Sequence, residues 1–274
     1  MGKPSAISGA SVRARLQYLA RSDDGSAAYF ASQAGGNTGE HDGQYFWQHV
    51  TISDARRHPL SLDRQGFALA SHKTAITDFH NDQVLATTYD AELEALLTAH
   101  TGARRVHVFD HTRRAASGSV RRQRTMREPS AVIHNDYTAW SAEKRLAEIL
   151  PDEAAILMSG RFAIVNVWRS ITGTVETMPL AFCDSTTLGP DDIVAVTRQA
   201  KDRIGQIQMA HFNPAHRWCY FPRMTADEVA LIKTYDSAMD GRNRFTIHTA
   251  FADPSSADDA PPRQSIESRA FLFF

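Results

Sequence analysis

The sequence predicts a mainly β protein, an antiparallel β-sandwich or jelly roll with a few helices packed outside it. Three observations carry that reading. Short runs rich in β-branched and aromatic residues recur along the chain, bounded by turn-forming residues. Apolar residues at helical spacing are confined to a few segments. No Pro/Gly/Ser-rich linker splits the 274 residues into halves that could each build a core, so 1–274 reads as a single domain. With 42% apolar and 22% charged residues the chain can bury a sizeable core.

Residues 1–45 are polar and read as an N-terminal arm carrying one strand, where Val12 to Tyr18 alternates apolar and polar side chains. Tyr45–Ile52 and Gly66–Ala70 have strand content. From Asp90 to His100, Leu93, Leu96 and Leu97 recur at helical spacing, and Gly102 stands where a left-handed cap is needed. Arg105–Asp110 alternates as a strand, and the basic stretch 113–127 connects it to a strand ending at His134. Lacking interleaved aromatic residues, that stretch reads as a solvated loop. Ser141 is the expected N-cap of a helix over 142–150, which Pro151 stops. Phe162–Trp168 is a near-continuous apolar strand with Met178–Cys183 as its hairpin partner. Asp191–Val194 opens a short helix; Ile204–Phe212 and Arg217–Phe221 pair as strands; Thr225-Ala226-Asp227-Glu228 is a capping box before a helix through Ile232. Ser265–Phe274 is a terminal strand with Ile266, Ala270, Leu272 and Phe274 on one face.

The candidate chemistry centres on Ala131-Val132-Ile133-His134-Asn135-Asp136. On an extended backbone residues i and i+2 point to the same side, so an imidazole and a carboxylate can reach one cation. A further histidine would complete the two-His-one-carboxylate triad of non-haem Fe(II) oxygenases, which leaves one face of the metal open. The pair His80 and Asp82 repeats the spacing before a helical pattern, and its position in the chain favours it less. A formal net charge of −1 provides no global field towards nucleic acid or anionic membrane. Cys183 and Cys219 are too few for a disulfide framework and fit a reducing cytoplasm as small buried apolar residues. No apolar run approaches the roughly 18 residues of a membrane span, and the N-terminus lacks the apolar core of a signal peptide.

Beyond His134-Asn135-Asp136, the motifs Phe109-Asp110-His111-Thr112-x-Arg114, Val167-Trp168-Arg169, Pro179-Leu180-Ala181-x-x-Asp184, His216-Arg217-Trp218, Lys233-x-Tyr235-Asp236-Ser237, His248-Thr249-Ala250-Phe251 and Arg263-x-Ser265-Ile266-Glu267-x-Arg269 carry a family likeness. Over roughly residues 65–274 the chain resembles the Fe(II)/2-oxoglutarate-dependent dioxygenases of fungal and bacterial secondary metabolism, the cephem methoxylase-related hydroxylase/desaturase family. The resemblance implies a double-stranded β-helix, a cupin-like jelly roll, using Fe(II), 2-oxoglutarate and O2. It implies a small-molecule substrate that is hydroxylated, desaturated or oxidatively cyclised.

In that family the distal histidine lies near the penultimate core strand, and an arginine follows on the last strand to take the far carboxylate of 2-oxoglutarate. His248 fits better than His211 or His216, because Arg263 and Arg269 follow it by 15 and 21 residues (263 − 248 and 269 − 248). The resulting set is His134, Asp136 and His248 for the metal, with Arg263, Arg269 and Arg169 for the cosubstrate. Arg269 ranks ahead of Arg263 for burial because it adjoins the apolar run to Phe274. Trp168-Arg169 reads equally as a surface pair, Tyr235-Asp236 as a turn, and Thr138 as either a cap or a pocket residue. Residues 65–90 and Arg169 are the expected substrate wall. An oxidase using Fe(II) and O2 without 2-oxoglutarate, and a non-redox cupin-like metal-binding protein, remain alternative readings, a nucleic-acid demethylase a distant one, and homodimerisation stays open.

Overall fold

The computed structural model describes residues 11–21, 28–30, 40–41, 43–200 and 203–274. The rest of the N-terminal stretch 1–45 lies outside the described residues. The strands are β1 (Ser11–Leu19), β2 (Ala28–Phe30), β3 (Glu40–His41), β4 (Tyr45–Asp54), β5 (Phe67–Ser71), β6 (Arg105–Ala115), β7 (His134–Asn135), β8 (Phe162–Ser170), β9 (Leu180–Cys183), β10 (Ile193–Ala200), β11 (Arg203–Ala210), β12 (Trp218–Tyr220), β13 (Glu228–Asp236), β14 (His248–Ala250) and β15 (Gln264–Phe273). Among the described residues they form two sheets, ordered β5-β13-β8-β15-β6 and β1-β4-β12-β9-β14-β7-β11-β10-β2-β3. This is the jelly roll the sequence implies.

β8 shows why its sequence is almost uniformly apolar. All nine residues are buried, because the strand is covered on both faces. Ala163, Val165 and Val167 face outward into a cluster with Leu85, Leu93, Leu97, Leu231, Ile266 and Leu272. Trp168 faces inward, packing with Phe67, Phe182 and Phe221 between the sheets. β15 repeats the pattern, with Ile266, Ala270, Leu272 and Phe274 on the outer face as predicted.

The outer cluster is roofed by α1 (Asp82–Val84), a π-helical turn over Leu85–Tyr89, and α2 (Asp90–Thr101). α2 buries Leu93, Leu96 and Leu97 and ends at Gly102, whose φ of 72° is the left-handed cap the sequence promised. Three further helices are α3 (Gly118–Arg124), α4 (Ala139–Ile149) and α5 (Ala154–Met158). α3 lies in the basic stretch read as a loop.

Several local expectations change. Thr138, not Ser141, caps α4; Ser141 sits at the third helical position and returns a bond to the Thr138 backbone, completing a capping box. The acidic start at Asp191 leads into strand β10, where Val196 is buried, rather than a helix. Thr225 to Glu228 forms a local turn, with Glu228 Oε2 accepting from Thr225 N at 2.9 Å, but the following residues are strand β13. Alternation of Val229 and Leu231 outward with Ala230 and Ile232 inward overrides the capping signal. Met178–Cys183 is not the hairpin partner of β8: β9 lies in the opposite sheet between β12 and β14. Likewise β11 pairs with β10 and β7, whereas β12 pairs with β9 and β4.

The N-terminal strand is part of the sandwich rather than an arm. β1 pairs with β4 along nine positions, and Leu16 and Tyr18 are fully buried. Tyr18 Oη accepts from Trp218 Nε1 at 2.7 Å and faces His216 Nδ1 at 3.1 Å, while His216 Nε2 reaches Asp192 Oδ2 at 3.0 Å. Leu16→Ala should therefore cost about 2–5 kcal/mol of stability, as for a buried leucine. Urea unfolding monitored by fluorescence checks this, and a loss below about 0.5 kcal/mol would return the strand to a dispensable arm.

Candidate metal centre

His134 and His248 sit directly opposite each other in the antiparallel β7–β14 pair. Direct partners project to the same face, and the ring centroids are 4.7 Å apart. Each ring is oriented by its own backbone: His134 Nδ1 lies 2.8 Å from the Val132 carbonyl and His248 Nδ1 lies 3.1 Å from the Thr246 carbonyl. A carbonyl only accepts, so each Nδ1 carries a proton and Nε2 is the ring nitrogen left to face the cluster. Burial, then the neighbouring His248, pushes the His134 pKa down to about 3, which keeps the imidazole neutral.

Asp136 completes the group. Its Oδ1 is 3.6 Å from His134 Nε2, and one ligand atom from each of the three residues lies within 4.8 Å of the others. Atoms sharing one ion at about 2.1 Å each lie at most about 4.2 Å apart, so a small inward adjustment of the side chains would let the three share a cation. Asn135, between the two ligands, is fully buried, and its Nδ2 contacts the carbonyls of Tyr137 and Thr234 and Gln208 Oε1 at 2.8, 3.0 and 2.8 Å. The histidine–aspartate turn is thus tied to both sheets. Asp136 Oδ2 accepts from Asn166 Nδ2 at 2.7 Å and from Arg269 Nε at 2.9 Å. Burial alone would raise its pKa, but Arg269 and the two histidines hold the carboxyl well below the usual range.

The recess in front of these residues is lined by His134, His248, Trp168, Arg114, Arg263 and Glu267, among others. Arg263 precedes β15, is 3% exposed, stacks 5.3 Å from the Trp168 ring and gives Nη1 to the Met178 carbonyl. Its Nε and Nη2 have no hydrogen-bond partner, and burial beside Arg114 pushes its pKa down to about 9. A buried cation with a free edge fits an incoming carboxylate.

The other predicted arginines go elsewhere. Arg269 faces the interior as its parity with Arg263 requires, but its Nη1 bonds Asp110 and its Nη2 bonds Glu267, in addition to the Asp136 contact. Its charge is spent on protein carboxylates. Arg169 is not in the site. It follows Trp168 on β8 and so points to the outer face, where it bonds His72 and the Ala226 carbonyl and lies over Phe79 and Tyr89. Residues 65–90 likewise build the outer helical roof and a sheet edge rather than the wall of the recess. Asp82 pairs with Arg113, away from the metal group, and His211 and His216 are satisfied by Leu19 O and by Tyr18 with Asp192. Asp236 is bound to Arg161 and Lys233 rather than to a ligand histidine.

Sequence reasoning gave no site role to Asn166, Arg114, Asp110 or Glu267, although the last three stand in the motifs of the family likeness. Asn166 left a signal, being the polar residue inside the apolar run of β8. Arg114 lies in the basic stretch, next to the last residue of β6.

A jelly roll bringing two imidazoles and one carboxylate together near an unpaired guanidinium defines the non-haem iron oxygenase class. Comparisons agree. The family model described as an oxidoreductase/YMDC permease-like domain matches residues 16–273. The hydroxylase/desaturase CTB9 of Cercospora beticola is 33% identical over 264 residues, 88% of this chain and 81% of that protein. The Fe(II)/2-oxoglutarate-dependent dioxygenase nvfI of Aspergillus novofumigatus is 31% identical over 82% of each chain. A solved structure described as the iron and alpha-ketoglutarate-dependent endoperoxidase NvfI superposes with a TM-score of 0.85 at 24% identity, covering 96% of this chain and 98% of that one, and supports the fold. The chain belongs to the Fe(II)/2-oxoglutarate-dependent dioxygenase family that includes these fungal hydroxylase/desaturases. It is an oxidoreductase, and the family's cofactor set is Fe(II), 2-oxoglutarate and O2. No described helix is long and apolar enough to cross a membrane.

The buried His134 makes the metal-free protein sensitive to acid. Its folded pKa lies below the unfolded value near 6.5, so the unfolded chain binds the extra proton between about pH 6.5 and 3. Stability is therefore complete above that window and falls as pH drops through it, by at most about 1.4 kcal/mol per pH unit for this group. Urea titrations of metal-free protein at pH 7 and pH 5 should show the loss, and His134→Gln should flatten it.

Proposed function

We propose that His134, Asp136 and His248 hold Fe(II), that Arg263 takes the far carboxylate of 2-oxoglutarate, and that the enzyme hydroxylates, desaturates or oxidatively cyclises a small molecule of specialised metabolism. The observation that carries this is one recess lined by His134, His248 and a buried guanidinium whose Nε and Nη2 are unpartnered, with Asp136 Oδ1 3.6 Å from His134 Nε2. When bound, the metal, 2-oxoglutarate and O2 supply the oxidation, with succinate and CO2 as co-products.

The chain's own residues do the holding. The Val132 and Thr246 carbonyls orient the two rings through Nδ1, so Nε2 is the atom each would offer to the ion. Arg263 orients an anion with a planar fork whose position is set by the Trp168 ring and the Met178 carbonyl. Trp168 and Leu180 supply an apolar wall that keeps water from the buried charges. A storage or isomerase cupin has no evident use for that unpaired guanidinium, whereas in an oxidase without 2-oxoglutarate it would hold a substrate carboxylate. Cys183 and Cys219 are buried and free, which suits a reducing cytoplasm.

Purified protein given Fe(II), ascorbate and 2-oxoglutarate should release succinate, more so with a metabolite extract that contains its substrate. Arg263→Leu should raise the 2-oxoglutarate requirement by about tenfold or more, the loss of roughly 1.4 kcal/mol or more of a charged contact, while iron content persists. Unchanged 2-oxoglutarate dependence in a folded Arg263→Leu protein would remove Arg263 from this role.

A further inference from the structure

Asp136 is gripped by one oxygen. Oδ2 takes both Asn166 Nδ2 and Arg269 Nε, at 2.7 and 2.9 Å, while Oδ1 faces His134 Nε2 at 3.6 Å. The two donors are direct partners in the β8–β15 pairing, so they stand side by side on the inner face. Each is itself fixed. Arg269 Nη1 bonds Asp110 and, at 3.0 Å, Thr112 Oγ1, and its Nη2 bonds Glu267. Asn166 is fully buried, and Thr234 Oγ1 lies 3.4 Å from its Oδ1, which leaves Nδ2 as the end turned to the carboxylate.

A carboxylate binds a cation through one oxygen or through both. Swinging Oδ2 onto the ion would break two hydrogen bonds, one of them charge-assisted. We propose that Asn166 and Arg269 are positioning residues: by holding Oδ2 of Asp136 they present Oδ1 alone to the ion, so the carboxylate takes one coordination position and the adjacent one stays open for 2-oxoglutarate. This rests on the reading above that His134, Asp136 and His248 hold the metal. It also explains why Arg269, the more deeply tied of the two terminal-strand arginines, is not available to the cosubstrate.

The test uses the full chain loaded with Co(II), whose visible absorption reports coordination number and geometry. Wild type, Asn166→Leu, Asn166→Ser, Arg269→Lys and Arg269→Gln are compared for the Co(II) spectrum, Co(II) affinity, and 2-oxoglutarate affinity of the loaded protein. Asn166→Leu should keep Co(II) within about threefold of wild type, change the spectrum, and weaken 2-oxoglutarate about tenfold or more. Succinate release should fall through the 2-oxoglutarate requirement rather than through the rate at saturation. Arg269→Lys, which keeps a charged donor for Oδ2, should lie nearer wild type than Arg269→Gln, whose amide offers only a neutral one. If Asn166→Leu does not fold, Asn166→Ser carries the same comparison.

Folded Asn166 variants with the wild-type spectrum and 2-oxoglutarate affinity would overturn the proposal, as would complete loss of Co(II) in both. If neither Asn166 variant folds, equal behaviour of the two Arg269 variants overturns it, and the predicted order supports it. Wild-type protein that takes up no Co(II), or His134→Ala protein that takes it up equally well, would overturn the metal-site reading itself, an outcome distinct from failure of the Oδ2 grip alone.

Discussion

The constraint on which this structure depends is the burial of ionic groups between two sheets. Arg114, Arg263 and Arg269 meet Asp110, Asp136 and Glu267 in or beside one recess. An isolated charge there would cost several kcal/mol, so each must find a partner or be reserved for one. Arg269 satisfies three carboxylates at once, and burial fails to lower its pKa because those anions outweigh it. Arg263 has no such partner, and that difference separates a structural cation from a receptive one. The same network joins β6, the histidine–aspartate turn, β8 and β15, so the group that orients the ligands also ties the strands around them.

Much of the fold was legible because it follows from period and punctuation. The alternation of β1, the helical leucines of α2 with their terminal glycine, and the two-sided apolar run of β8 each point to the element found, although Val12, Leu16 and Leu19 also fit helical spacing. The errors fall where a local signal competed with a tertiary one. Thr225 and Glu228 do make the side-chain to backbone contact of a capping box, yet the alternating burial of Val229 to Ile232 turns the following residues into a strand. Strand partners were less readable than strands. Neighbours in sequence such as β8 and β9 belong to opposite sheets, and nothing in a single strand's composition encodes which sheet it joins.

The candidate site divides in the same way. His134 and Asp136 could be read because two residues of extended chain suffice to bring them together. His248 needed the order of the family's motifs. The arginines show the limit of burial as a guide: adjacency to an apolar run ranked Arg269 ahead of Arg263, yet Arg263 is the more deeply buried of the two, and the partners of Arg269 are protein carboxylates. Parity decided Arg169, since one step along β8 from Trp168 crosses the sheet.

The shortness of β7 and β14 has a further consequence. Two and three residues of strand contribute few hydrogen bonds of their own, and a one-residue slip between them would send His248 to the opposite face. An ion shared by His134 and His248 would span that pairing as a cross-strand staple. Any ligand that binds only the folded state adds to its stability, by about 2.7 kcal/mol at one hundred times its dissociation constant. A metal bound at this group would therefore act as a clasp as well as a reactant, closing the sheet across two short strands.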